Sequence, residues 1–482
     1  MPKSRSVRSD GPREAETLVF ETDWLASRPF FYNLRTGRCS RLIHEVIDLT
    51  DLEFDPEGLN DYLDFGFSVF GRTPVRDVRM LRFSSRLYSG PDGLRVEELD
   101  DPAYPWLERS TRVNEVVDLA DALVNEAAAE VPGEIVVPTS GGFDSRFIDV
   151  LLHDRPRVRA FTYGVSGDQA RSAEAVKAAE LCRRLGLSWE LIPLGDFHRY
   201  FDEWDELFGV SAHAHGMYHI EFYRQIVAKV SRGSLLLTGA SGEWFSGDDP
   251  EVRVVETLRG PEDLLEVFRY GRMCADSRQS WFRSEQLGLQ QLLAEQPRIR
   301  TEMLPRVVTV VRLRTTLLSY LQTVPESLGL VPRAPFLDIR LAMRMLTLPA
   351  ELRHERRWER EYFASQGVDL EAAALPGDYR NVLNSTAMRR RPLRPLDVGL
   401  LCEIVRPEYV RWVNRTVGPL GLPHEAVTRL AWQPGFRRAV KQLRRMGVTD
   451  RRAEAYGAYL TLRPLESLLR RRDAARGGEA GP

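Results

Sequence analysis

Lysine is almost absent: Lys3, Lys177, Lys229 and Lys441 are the only four among 67 basic residues, and the other 63 are arginine. Arginine-favouring codon usage accounts for the bias as a whole. Its chemical consequence is local, because any site that ordinarily uses lysine must here use a guanidinium, which stays charged and carries no proton. Cysteine is scarce as well. Cys39, Cys182, Cys274 and Cys402 form no CxxC pair and have no histidine at zinc-ligand spacing. They fit reduced thiols in a cytoplasmic protein better than a disulfide framework or a metal site. No run of 18 apolar residues exists to span a membrane as a helix. Residues 1–15 are polar, lack the apolar core of a signal peptide, and read as a disordered leader. A formal net charge of −2 gives no reason to expect a nucleic-acid or membrane-surface partner.

What is present is the composition of a globular protein, 43% hydrophobic and 28% charged, over 482 residues. That length allows two domains of ordinary size. Residues 16–110 carry short apolar runs broken by turn signals such as Arg35-Thr36-Gly37 and Pro91-Asp92-Gly93, as expected of a small strand-rich domain. From Val113 the texture changes. An amphipathic helix (VNEVVDLADALVNEAAAEV) precedes a short buried strand (EIVVPT), then a helix, a strand (RVRAFTYG), a helix, a strand (LSWELIPL) and the strand SLLLTG. Short β-branched runs alternating with helices predict an α/β fold, a parallel sheet with helices on both faces. From about Pro261 the period is helical, which predicts a helical C-terminal layer on a domain reaching residue 470. The charged, Gly-rich stretch 471–482 reads as a disordered tail.

The sharpest signal is Ser140-Gly141-Gly142-Phe143-Asp144-Ser145, set between a strand and a helix. Paired glycines there let the backbone close on a phosphate, and the N–H groups of the loop and first helical turn point at it. Ser140 and Ser145 add hydroxyls. Asp144, an acceptor in a site otherwise built for anions, suits Mg²⁺ bridging the phosphates of ATP. With no GKS or GKT and no lysine nearby in sequence, this is not a Walker loop.

The motif resembles the PP-loop of the asparagine synthetase superfamily, whose other landmarks follow in order over about residues 110–380. The resemblance places Thr162 and Tyr163, at the end of RVRAFTYG, near adenine. It matches Gly239-Ala240-Ser241-Gly242-Glu243 to the family's second acidic loop, making Glu243 the second metal ligand, with Asp248 or Asp249 as the alternative. Arg333, Pro335, Phe336, Leu337 and Asp338 match the family's Arg-x-Pro-Phe-Leu-Asp helix. The implied activity is adenylation of a carboxylate and transfer of the acyl group to an amine, releasing AMP and pyrophosphate.

Two departures narrow this expectation. Glutamine-hydrolysing members use a cysteine at residue 2, where this chain has Pro2. The N-terminal region looks like a shortened remnant of that domain and should supply no ammonia from glutamine. After the Asp338 helix the family carries a lysine, whereas this chain reads HERRWER; Arg357 is the expected substitute among Arg356, Arg357 and Arg360. β-Lactam synthetases use a Tyr–Glu pair as base, and the tyrosine would fall at Ala240. Among His213, His215 and His219, His215 is the candidate substrate-binding residue or general base, against a solvent-facing or core-satisfied role for the three, or a metal site. The nitrogen then comes from ammonia, a second substrate or an amine in the same molecule. The last two are favoured, as in β-lactam synthetases and lasso-peptide cyclases, whose chemistry admits a carrier or precursor-peptide partner. The alternatives are a non-catalytic ATP-binding relative and a PP-loop tRNA-modifying enzyme.

Overall fold

The computed structural model describes residues 16–247, 274–421, 426 and 451–478; the expected leader, Asp248 and Asp249 lie outside them. Six short strands build the N-terminal region: β1 (Thr17–Glu21), β2 (Phe31–Asn33), β3 (Cys39–Ser40), β4 (Val78–Met80), β5 (Ser85–Gly90) and β6 (Gly93–Glu98). They pair antiparallel as two three-stranded sheets, β1-β5-β6 and β3-β2-β4.

The rest is organised by a five-stranded parallel sheet. Its strands are β7 (Ile135–Pro138), β8 (Val158–Thr162), β9 (Ser188–Leu191), β10 (Leu235–Leu237) and β11 (Val331–Arg333), in the order β11-β10-β7-β8-β9. Ile135, Val136 and Val137 are buried, as are Leu235, Leu236 and Leu237. Continuous apolar runs of this kind mark strands covered on both faces. The chain proceeds from β7 to β8 and β9 on one side, then returns to β10 and β11 on the other. Right-handed crossovers therefore place the connecting helices on opposite faces. The reversal between β7 and β10 is a topological switch point, and the crevice beyond the carboxyl ends of those two strands is where such sheets receive ligands.

The helices follow their apolar periods. Val113–Glu130 buries Val116, Ala120, Val124, Ala127 and Ala128 along one stripe. Ala173–Leu185 ends at Gly186, whose φ of +69° is the left-handed cap that glycine accepts without strain. Asp338 caps Ile339–Leu346 by accepting from the Arg340 N–H at 2.8 Å.

The two regions share one core. Leu25, Phe31, Tyr62 and Val78 belong to the same buried cluster as Ile135, Phe161 and Leu341. Trp24 donates from Nε1 to the Leu337 carbonyl at 2.8 Å, and the buried Arg312 forms a two-point pair with Asp101 at 2.6 and 2.7 Å. The tail expectation is corrected for residues 471–478; residues 479–482 lie outside the described ones. The stretch begun at Arg451 remains helical through Gly478, with Leu465 and Leu469 in the core. Arg472 pairs with Glu403 at 2.6 Å, tying down arginines that composition alone assigns to solvent. Among the described residues no helix is long and apolar enough to cross a membrane.

Candidate functional site

The Ser140–Ser145 loop leaves the carboxyl end of β7, the central strand, and runs into the helix Phe143–Leu151. Gly141 sits at φ +66°, and a Cβ there would lie 2.5 Å from the Lys177 Cβ, so only glycine fits between loop and neighbouring helix. Ser145 Oγ accepts from the Ser140 N–H at 3.1 Å, and Ser140 Oγ accepts from the Gly142 N–H at 3.2 Å. The two hydroxyls thus close the loop on itself.

The second loop, after β10, meets the first at Asp144. Asp144 Oδ2 accepts from the Glu243 N–H at 3.0 Å. A Cβ on Gly239 would stand 2.8 Å from Asp144 Cβ, and one on Gly242 would stand 2.7 Å from Asp144 Cγ. Two glycines therefore form a cradle into which the carboxylate fits. The structure brings Asp144 and Glu243 together through the backbone of Glu243, whose side chain is exposed. Among the described residues no group of three or more His, Cys, Asp or Glu is placed so that it could hold a metal ion by itself. One or two carboxylates beside a phosphate loop suit Mg²⁺, which keeps its waters and takes phosphate oxygens.

The arginine expectation is corrected by one residue. Arg357 turns to solvent and pairs with Glu361 at 2.7 Å, both side chains more than half exposed. Arg356 is buried, and its guanidinium reaches both Asp144 and Glu359. The reason is backbone geometry. Glu355 (φ +51°) and Arg356 (φ +55°) are consecutive left-handed residues, each costing on the order of 1–3 kcal/mol. They break the helical phase before Arg357–Ser365 begins. Burial raises the Glu359 pKa, while Arg356 opposes that shift.

The adenine expectation is altered too. The Thr162 hydroxyl donates to the Thr139 carbonyl and accepts from Trp189 Nε1 at 2.9 Å, so it is spent joining strands. Tyr163 is half-buried, edge-on to Tyr218 and Phe222 at 5.6 and 5.1 Å. His215 is corrected as a base. It is stacked on His213 at 4.5 Å and lies edge-on to Tyr320 at 5.0 Å. Burial pulls its pKa down to about 4 and that of His219 to about 3. A base effective near neutrality needs a higher value. The three histidines pack into an aromatic wall with Tyr320.

Three participants were not identified from sequence. Arg146, fully buried, donates to the Gly141 carbonyl at 2.9 Å and pairs with Glu371 at 2.7 Å; its signal was an arginine within the apolar stripe of its helix. Lys177, distant in sequence, lies against the loop, and its rarity in the chain could have marked it. Glu359 gave no signal, since its partner depends on the left-handed turn.

No family model and no curated protein matches the chain. Among solved structures it is similar to an NH3-dependent NAD synthetase from Campylobacter jejuni in complex with nitrate, at 13% identity and a TM-score of 0.24, covering 44% of this chain and 96% of that one. It is also similar to a glutamine-dependent NAD+ synthetase from Acinetobacter baumannii in complex with ADP, at 18% identity and a TM-score of 0.20, covering 49% of this chain and 41% of that one.

Proposed function

We propose that this chain is an ATP-dependent, PP-loop ligase of the asparagine-synthetase kind, which adenylates a carboxylate and passes the acyl group to a substrate amine. The observation that carries the reading is the meeting of the loops after β7 and β10 at the switch point, with Asp144 between them and Arg356 reaching it. In this reading the loop N–H groups and the hydroxyls of Ser140 and Ser145 hold the departing pyrophosphate. Asp144 and Glu243 are the residues that would hold Mg²⁺, which when bound neutralises phosphate charge. Arg356 supplies positive charge where the adenylate and the later acyl oxyanion develop, in place of a lysine. The substrates are a small-molecule or peptide carboxylate and amine, and a carrier or precursor peptide could present them.

ATP–pyrophosphate exchange over a panel of amino acids and short peptides tests this. Acid-dependent exchange, with AMP as the nucleotide product and loss in Asp144→Asn, is the expected result. Release of ADP and phosphate would overturn the reading, and ATP binding without exchange for any acid would favour a non-catalytic relative.

A further inference from the structure

The guanidinium of Arg356 serves two carboxylates at once. Its Nε and Nη2 edge lies on Glu359, with Nη2 to Oε1 at 2.9 Å, and the same Nη2 reaches Asp144 Oδ1. Glu359 is completely buried, Arg356 is 6% exposed, and the Phe143 ring lies 4.7 Å below the guanidinium. Asp144 Oδ2 is already occupied by the Glu243 N–H. Both oxygens of the carboxylate that fits the metal are therefore engaged by the protein itself.

We propose that Arg356 is the resident counter-ion of Asp144, and that Glu359 is the positioning residue that keeps Arg356 in place when Asp144 turns to metal and nucleotide. The proposal rests on the metal–nucleotide reading above. A divalent cation on Asp144 would stand beside the guanidinium already on Oδ1, and the two positive groups repel at contact distance. An arginine held by Asp144 alone would be driven from the site as the metal arrived. Held by a two-point edge on a second, buried anion, it stays, and the Nη2 proton released from Asp144 is free to meet phosphate oxygen. Lysine has one nitrogen and no rigid edge, so it could not stay fixed to Glu359 in this manner. Arg356 offsets carboxylate charge at Asp144 and Glu359 and so weakens the pull of the nucleotide-free site on a divalent cation. Divalent metal then loads chiefly with nucleotide.

Metal binding, rather than turnover, provides the test. Mn²⁺ is titrated into the full chain and read by electron paramagnetic resonance, with and without ATP. ATP affinity is measured by calorimetry in Mg²⁺ and in EDTA. The wild type should take up Mn²⁺ with ATP and only weakly without it. Arg356→Gln leaves two carboxylates side by side and should gain about tenfold or more in nucleotide-free Mn²⁺ affinity, the scale on which neighbours of a ligand shift metal binding. Adding Asp144→Asn should abolish that gain. Glu359→Gln should weaken ATP about tenfold in Mg²⁺ while leaving affinity in EDTA unchanged; a merely structural role would move both together or neither. Should Arg356→Gln fail to fold, Glu359→Gln alone decides through that ratio. Nucleotide-free Mn²⁺ binding as strong in the wild type as in Arg356→Gln, or an unchanged Mg²⁺-to-EDTA ratio in Glu359→Gln, overturns the proposal. Absence of any ATP binding by the wild type would instead overturn the metal–nucleotide reading itself.

Discussion

Arg146 Nη2 donates to the Gly141 carbonyl at 2.9 Å, across the turn that opens the Ser140–Ser145 loop. Fixing that carbonyl fixes the plane of the peptide that follows, and hence the direction of the Gly142 N–H. Three further donors of the guanidinium go to Glu371 at 2.7 and 2.9 Å and to the Val368 carbonyl at 3.3 Å, while Nε is buried without a partner among the described residues. The loop is therefore held from below by a side chain that never meets solvent.

Arg146→Met should destabilise the fold by about 3 kcal/mol, the low end for breaking a buried pair, because Glu371 keeps 27% of its side chain exposed. Urea denaturation measures it. Adding Glu371→Leu should recover most of the loss, since the stranded carboxylate is then gone. A single variant as stable as the wild type would show that the pair contributes nothing.

The glycine cradle gives a sharper test. Gly239→Ala places a methyl 2.8 Å from Asp144 Cβ and 2.9 Å from its backbone carbon, so the loop itself must shift. ATP affinity by calorimetry should fall at least about tenfold, the scale expected when a ligand's supports are disturbed. Gly167→Ala is the control, with nothing within 4 Å of its new Cβ. Equal affinity in the two variants would remove Gly239 from the site.

Acid stability should report the docking of the C-terminal helix. His198 Nδ1 lies 3.2 Å from the Arg391 carbonyl and Nε2 lies 2.9 Å from the Tyr456 hydroxyl. A carbonyl only accepts, so Nδ1 carries the proton and the neutral ring accepts from Tyr456. Burial lowers the His198 pKa to about 4, from the ordinary histidine value of 6.5. Above pH 6.5 both folded and unfolded forms are neutral and the contribution is fully present. As pH falls from 6.5 towards 4, the unfolded chain takes up a proton that the folded chain refuses, and about 3 kcal/mol is lost. His198→Gln should flatten the stability–pH slope over that window by one proton. An unchanged slope would mean that His198 titrates alike in both states.

Some of this was legible in the chain and some was not, for physical reasons. The loop Ser140–Ser145, its strand and its helix are contiguous, so the turn glycines and apolar periods declare them. The acidic loop after β10 could be found because it ends a strand in the same way. The histidine cluster misled because spacing shows only that His213, His215 and His219 are close. The partners that bury them are Trp204, from the helix just before, and Tyr320, from a helix about a hundred residues further along the chain, which spacing alone does not reveal. Arg470–Arg472 looked solvated because composition cannot show Asp397, Glu403 and Glu206 waiting opposite. The register of the HERRWER segment was hidden by two left-handed residues that contain no glycine.

That register supplies the last prediction. Arg357 and Glu361 form an exposed i,i+4 pair, worth about 0.3–0.5 kcal/mol and screened by salt. Arg357→Ala should therefore leave ATP affinity and pyrophosphate release as in the wild type and barely move the melting temperature. Arg356 faces Asp144, where charge develops in the proposed reaction, and losing one preorganised donor there costs about 3–4 kcal/mol, or a hundredfold or more in rate. Arg356→Ala should lower pyrophosphate release by that factor. Arg356→Lys should restore part of it, because an ammonium returns the field but not the two-point grip on Glu359. The comparison is made side by side, with the same acid and at saturating ATP. A large loss in Arg357→Ala with full activity in Arg356→Ala would mean that the exposed arginine folds inward during turnover, and the assignment would pass back to Arg357.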